Sequence, residues 1–262
     1  MPRSARFWAT RRGSMGQSST EPTAKAGDGI KAVTGAWTFR DAGVAAAFDR
    51  HVSLSVPGYD AVQRLVARLS TYFLPDGGVH LDWGCSTGRT LTEVARANPG
   101  RRVRRVGVDE SPEMVAKARE RMAVEGVEAD LQTIPLASCP PDGAHLVTAL
   151  YVLQFLAPAE RRQALAAAYA GLREGGALVL VEKVLPDDPE LCAPFQDALW
   201  DEKEENGYTP AEVAAKARSL RGVLRPLPAG EVERALVACG FRATRFWQHL
   251  SFVGWVCLKG GS

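Results

Sequence analysis

The sequence has little that would tie it to a membrane, a metal or a disulfide framework. No apolar run approaches the roughly 18 residues that a membrane span needs, and the densest, 146–155 and 178–181, are strand-sized. The 5 cysteines are scattered, and no CxxC pair is present to clamp zinc or run redox chemistry. A reduced, cytoplasmic setting is therefore expected, with no metal site. An excess of one charge is missing too: 32 Lys and Arg face 30 Asp and Glu, a formal net charge of +2. That balance suits a protein that does not live by phosphate contacts, so neither nucleic acid nor membrane is expected as a partner. The N-terminus carries Arg3, Arg6, Arg11 and Arg12 but lacks the apolar core of a secretory signal.

What is present is an ordinary soluble composition, 46% hydrophobic and 24% charged, in 262 residues. Residues 1–33 are Gly, Ser, Thr and charge without periodicity and read as a disordered leader. Residues 34–262 read as one domain. Its first part, 34–60, reads as an N-terminal lid with a short helix over 41–51, and Ser55-Val56-Pro57-Gly58-Tyr59 forms a turn. Apolar positions at helical spacing predict a helix over 60–73. Strands and helices then alternate: strands at 79–82, 105–109, 146–153 and 177–182, helices at 90–98 and 158–172, and another opened by Ser111-Pro112-Glu113. This rhythm predicts an α/β fold, a doubly wound, mostly parallel sheet with helices on both faces. Two strands within 245–259, joined near Phe252-Val253-Gly254, supply an antiparallel edge. Residues 186–228 break the rhythm as a charged helical insertion on the substrate side.

The sharpest local signal is Asp82-Trp83-Gly84-Cys85-Ser86-Thr87-Gly88, between the first strand and its helix. Gly84 and Gly88 let a ligand lie close to the backbone, and the helix start behind them offers unpaired N–H groups. The glycine spacing is not the dinucleotide fingerprint, and the loop has no phosphate-anchoring Lys. Asp109 ends the second strand about twenty residues further on, where an acid accepts hydrogen bonds from ribose hydroxyls. Loop, strand and acid together describe a nucleoside-binding crevice.

Asp-x-Gly-x-x-x-Gly with that downstream acid resembles motif I of the class I S-adenosylmethionine (SAM) methyltransferases. The resemblance extends to the carboxy-S-adenosylmethionine synthases through Trp37-Thr38-Phe39, Val44-Ala45, Phe48 and Ser55 to Tyr59. It continues with Leu153-Gln154-Phe155-Leu156, Gly175 to Leu180 with Glu182-Lys183, Asn206-Gly207-Tyr208 and Gly240-Phe241. It implies a Rossmann-like class I methyltransferase sheet with helical lid elements, SAM as cofactor, and a homodimer as a compatible state. Members of that family convert SAM to a carboxylated sulfonium using prephenate. Carried over by position, Tyr59, Gly84, Asp109, Glu110, Asp130 and Leu131 contact the cofactor. Asp82, Cys85, Ser86, Gly88, Met114, Leu150 and Gln154 complete the expected set. Three positions depart from the family pattern, and Glu110 is the first, standing where an Asn usually follows the ribose-binding Asp. Ala217 stands where the family has an Arg that grips the added carboxylate, with Arg218 adjacent, and Leu150 stands where it has an Asn. A pocket without that guanidinium and that amide has lost most of its means of fixing a carboxylate there.

Methyl transfer from SAM to a small molecule, by in-line attack on the sulfonium methyl, is the leading expectation. Tyr59, Tyr151 and Trp200 are the candidate catalytic side chains, because aromatic faces stabilise a cation. Candidate bases are His51, His145, His249, Glu182 and Asp201. Three alternatives stay open: cyclisation of SAM to azetidine-2-carboxylate with release of methylthioadenosine, carboxy-SAM synthesis from SAM and prephenate, and a non-catalytic SAM-binding module.

Overall fold

The structure, a computed structural model, describes residues 42–260; the leader and the first part of the N-terminal lid, Trp37 to Phe39 included, lie outside them. Two helices come first, α1 (Ala42–Ser55) and α2 (Tyr59–Phe73). The Pro57-Gly58 turn separates them, with Gly58 in the left-handed region at φ 63° as the cap of α2. Then follow β1 (Val79–Trp83), α3 (Arg89–Ala97), β2 (Arg104–Asp109), α4 (Pro112–Glu125), β3 (Asp130–Thr133) and β4 (Ala144–Leu150). The chain continues through α5 (Pro158–Gly171), β5 (Leu172–Lys183), α6 (Cys192–Glu205), α7 (Pro210–Ser219), α8 (Ala229–Ala238), β6 (Phe241–His249) and β7 (Phe252–Lys259).

The strands form one sheet in the order β3-β2-β1-β4-β5-β7-β6. β1 to β5 run parallel, and β7 is antiparallel to both β5 and β6. The predicted doubly wound sheet with an antiparallel edge is therefore the observed one. Central strands buried on both faces must be nearly continuous apolar runs, and Ala177 to Val181 of β5 are all at 0% exposure. The order reverses between β1 and β4, so the crevice for a ligand opens at the carboxyl ends of β1, β2 and β4.

Several boundaries differ from the expected ones. β4 stops at Leu150 rather than 153 because Tyr151 takes φ 61° and cannot continue a strand. Gly175-Gly176 lies inside a longer β5, in a bulge between the Ala144 and Leu146 pairings, instead of following a helix as a loop. The edge hairpin turns at Leu250-Ser251, with Leu250 at φ 46°, so Phe252, Val253 and Gly254 belong to β7. The basic run before β2 is used locally. Arg101 donates to the carbonyls of Thr71 and Leu74, and Arg102 pairs with Asp76. Among the described residues no helix is long and apolar enough to cross a membrane.

One polar chain crosses the sheet's apolar centre. His80 of β1 donates through Nε2 to Thr148 Oγ1 of β4 (2.9 Å), and Thr148 donates to Asp82 Oδ1 (2.6 Å). All three side chains are buried. Thr148→Val keeps the shape but leaves His80 and Asp82 without their partner, and unsatisfied buried groups cost about 1–3 kcal/mol each. The variant is expected to lose on the order of 2–4 kcal/mol of stability in urea unfolding.

Candidate functional site

A cavity of about 540 Å³ opens at the carboxyl ends of the parallel strands. Its floor is the loop after β1. Gly84 takes φ 70° and Ser86, a non-glycine, φ 48°, a conformation that needs outside support. Asp109 at the end of β2 supplies it: Oδ2 accepts the Ser86 N–H (3.0 Å) and Oδ1 accepts the Ser111 N–H (2.9 Å). Ser111 then caps α4 by accepting the Met114 N–H. Burial raises the Asp109 carboxyl above the usual carboxylate range, opposed by those two backbone bonds. α1 closes over the loop, since Asp49 accepts from Thr87 Oγ1 (2.6 Å) and pairs with Arg121 of α4.

Of the residues expected to hold cofactor, Tyr59, Gly84, Cys85, Ser86, Asp109, Glu110, Met114 and Leu150 line this cavity. Asp82, Gly88, Asp130, Leu131 and Gln154 do not. Asp82 is turned into the core toward Thr148, and Gly88 serves as the αL cap of α3. The β2–β3 register sets Asp130 beside Val106 and Thr133 beside Asp109, so Asp130 and Leu131 sit back from the ligand end. Leu136 lines the cavity on that side instead. Gln154 lies behind the wall, accepting the Lys183 N–H through Oε1 (2.6 Å) and the Arg225 N–H through its carbonyl (2.8 Å).

The catalytic candidates separate similarly. Tyr59 and Tyr151 line the cavity with ring centroids 5.7 Å apart, and Phe252 stands 6.1 Å from Tyr151. Arg89 lies 5.5 Å over the Tyr59 ring. The Tyr151 hydroxyl is buried without a hydrogen-bond partner, on a residue held at positive φ. Burial pushes both phenols well above their ordinary range, so both stay protonated as donors. Trp200 packs with Leu54, Tyr208 and Val213 inside the helical insertion and does not reach the cavity. Among the candidate bases only His51 lines it. His145 accepts the Val79 N–H, His249 pairs with Glu202, Glu182 is buried against Arg161, and Asp201 is exposed.

Three residues that the sequence reading did not single out as site residues complete the wall: Lys183, Lys203 and Lys216. They come from the end of β5, from α6 and from α7. Burial lowers all three, Lys203 to about 8 with Lys183 adding repulsion, and Lys216 to about 7. Neither Ala217 nor Arg218 lines the cavity, and Arg218 is exposed. One residue is about 100° around a helix, so the cation that α7 sends inward is Lys216. Lys183 had a readable signal, since it ends a parallel strand at the face where Asp109 ends another.

The comparisons with known proteins bear on this geometry. A methyltransferase domain model matches residues 81–176. The carboxy-S-adenosyl-L-methionine synthase of Methylococcus capsulatus is 38% identical over 225 residues, covering 82% of this chain and 91% of that protein. The same-named protein of Erwinia tasmaniensis is 33% identical, over 87% of this chain and 93% of its own. The chain belongs to the carboxy-S-adenosyl-L-methionine synthase family. It is a SAM-dependent enzyme of methyltransferase fold. Among solved structures, an O-methyltransferase family protein from Burkholderia thailandensis matches with TM-score 0.61 and 16% identity, over 85% of this chain and 61% of that one. Human N-acetylserotonin methyltransferase in complex with SAM matches with TM-score 0.58 and 19% identity, over 85% of this chain and 58% of that one. This chain thus spans about three fifths of those two solved chains, and at such identities they show the shared fold alone.

The residues present fit SAM. A strand-end carboxylate suits a ribose diol, aromatic rings suit a sulfonium, and the orphaned Tyr151 hydroxyl has a hydrogen bond to give. A pH effect follows from the floor. Burial raises Asp82 to about 7, with the Thr148 bond opposing. Its folded value therefore lies above the ordinary carboxylate value near 4. The native state then holds this proton more tightly than the unfolded chain, so stability falls as pH rises through that interval. Asp82→Asn is expected to remove on the order of 2 kcal/mol of the stability difference between pH 5 and pH 8, read from urea midpoints at the two pH values.

Proposed function

We propose that this protein is a SAM-dependent transferase whose second substrate is a small anion, with the sulfonium methyl as the transferred group. The supporting observation is that Lys183, Lys203 and Lys216 all line the cavity floored by the Gly84–Ser86 loop and Asp109, with Lys183 near enough to repel Lys203. Lys183 repels the desolvated ammonium of Lys203, and a bound carboxylate relieves that repulsion. When bound, SAM supplies an electrophilic methyl carbon on a cationic sulfur. In this reading Asp109 and Glu110 hold the ribose end. Tyr59, Tyr151 and Phe252 enclose the sulfonium, and the lysines orient the acceptor in line with the departing sulfur. The family's names point to carboxy-SAM. Against transfer of a carboxylate to the sulfonium stand Ala217 and Leu150, which supply neither guanidinium nor amide.

A second reading rests on Leu150, an apolar side chain lining the cavity. With such a wall, the anion held by the lysines is the carboxylate of SAM itself, and the folded aminobutyrate arm closes to azetidine-2-carboxylate. Mass spectrometry of products from SAM alone, and from SAM with prephenate or a panel of small carboxylic acids, separates the readings. The proposal expects S-adenosylhomocysteine only with an acceptor. Methylthioadenosine from SAM alone means cyclisation, a prephenate-dependent carboxylated SAM means the synthase reaction, and bound but unchanged SAM means a non-catalytic module. Lys183→Met and Lys203→Met are each expected to raise KM for the acid about tenfold or more, the loss of one charge-assisted bond.

A further inference from the structure

Two nitrogen bases from different lids meet at the edge of the cavity. Lys216 Nζ of α7 contacts His51 Nε2 of α1, and both residues line the cavity. The other imidazole nitrogen faces Tyr208: Nδ1 lies 2.8 Å from Oη, and Oη donates to the His51 carbonyl (3.3 Å). We assign the phenol proton to the carbonyl; in that arrangement Nδ1 carries a hydrogen and donates to Oη, while Nε2 presents its lone pair to Lys216. An ammonium and an imidazole held in this contact share one proton instead of carrying two. We propose that Lys216 and His51 together are the proton acceptor for the nucleophile, an inference that rests on the transfer reading above. The nucleophile is a hydroxyl of the acid acceptor: its oxygen attacks the methyl carbon, and the carbon–sulfur pair leaves with sulfur, giving a neutral thioether. The nucleophile's proton passes to neutral Lys216 Nζ, where His51 Nε2 shares it.

Burial favours a neutral amine. The other cations that line the cavity are Lys203 of α6, Lys183 of β5 and Arg89 of α3. The cavity's acids, Asp109, Glu110 and Glu160, stand on the strand ends and α5. On α7 itself, Glu212 is engaged with Thr209 at the helix start, and Arg218 is exposed. Burial holds Lys216 near 7, where a base works best at neutral pH.

Competitive labelling with acetic anhydride across pH 5–10, read by peptide mass spectrometry, tests the pair on the wild-type chain without any acceptor. Lys117 of α4, half-buried and paired with Glu120, is the internal reference. Lys216 is expected to half-react near pH 7, about two or more pH units below an ordinary lysine. His51→Phe, which removes the proton-accepting Nε2, is expected to move the Lys216 midpoint lower still. A Lys216 midpoint equal to that of Lys117, one unmoved by His51→Phe, or no labelling at any pH overturns the proposal, since a base for a diffusing substrate must be reachable. In turnover of SAM, Lys216→Arg puts a permanent cation there and loses the base. A kcat fall of about 100-fold or more, with KM for SAM nearly unchanged, supports the proposal. Restored turnover with Arg assigns Lys216 to anion binding alone. Methylthioadenosine formed from SAM alone would instead retire the transfer reading, and the Lys216 titration reports independently of that outcome.

Discussion

One carboxylate holds the crevice in shape. Asp109 accepts the N–H of Ser86 from the loop after β1 and the N–H of Ser111 at the start of α4. Without the first bond, Ser86 has no evident support for its positive φ; without the second, the cap of α4 loosens. Asp49 repeats the device from above, joining α1 to Thr87 and Arg121. Floor and roof of the cavity are each pinned by a two-handed acid.

The far wall is organised by the opposite charge. Lys183 is fixed by β5, whose end is tied through Gln154 to the segment after α7. Lys203 and Lys216 ride on α6 and α7, which pack through Tyr208, Val213 and Trp200 against Leu54 of α1. The helical insertion is therefore a carrier of cations as much as a cover, and its aromatic residues serve to seat it.

The sheet was legible because its elements follow strong local rules. Alternating strands and helices, Ser111-Pro112 at a helix start and glycine at turns each have one common structural solution. The meeting of Asp109 and the Gly84 loop at the cavity was legible for a similar reason, since both occupy strand ends. What escaped depends on register and helix phase. Asp130 enters the expected cofactor set by family resemblance alone, which does not carry the β2–β3 pairing that places Thr133 and not Asp130 level with Asp109. Trp200 looked catalytic as an aromatic residue in an unusual segment, yet it faces the lid's own core. Lys216 stood one residue from the position compared with the family's Arg, and only the folded α7 shows which side chain turns inward. The turn at Tyr151, a strained non-glycine residue, breaks a strand that its apolar sequence would continue.

The proposed function needs Asp109 both to build the crevice and to receive SAM there. Calorimetric titration of SAM into the wild-type chain and into Asp109→Ala, with folding checked by circular dichroism, tests it directly. Loss of charge-assisted bonds to a ribose diol predicts SAM binding weakened by about 100-fold or more in a variant that still folds. Unchanged SAM affinity in a folded Asp109→Ala protein would contradict the account.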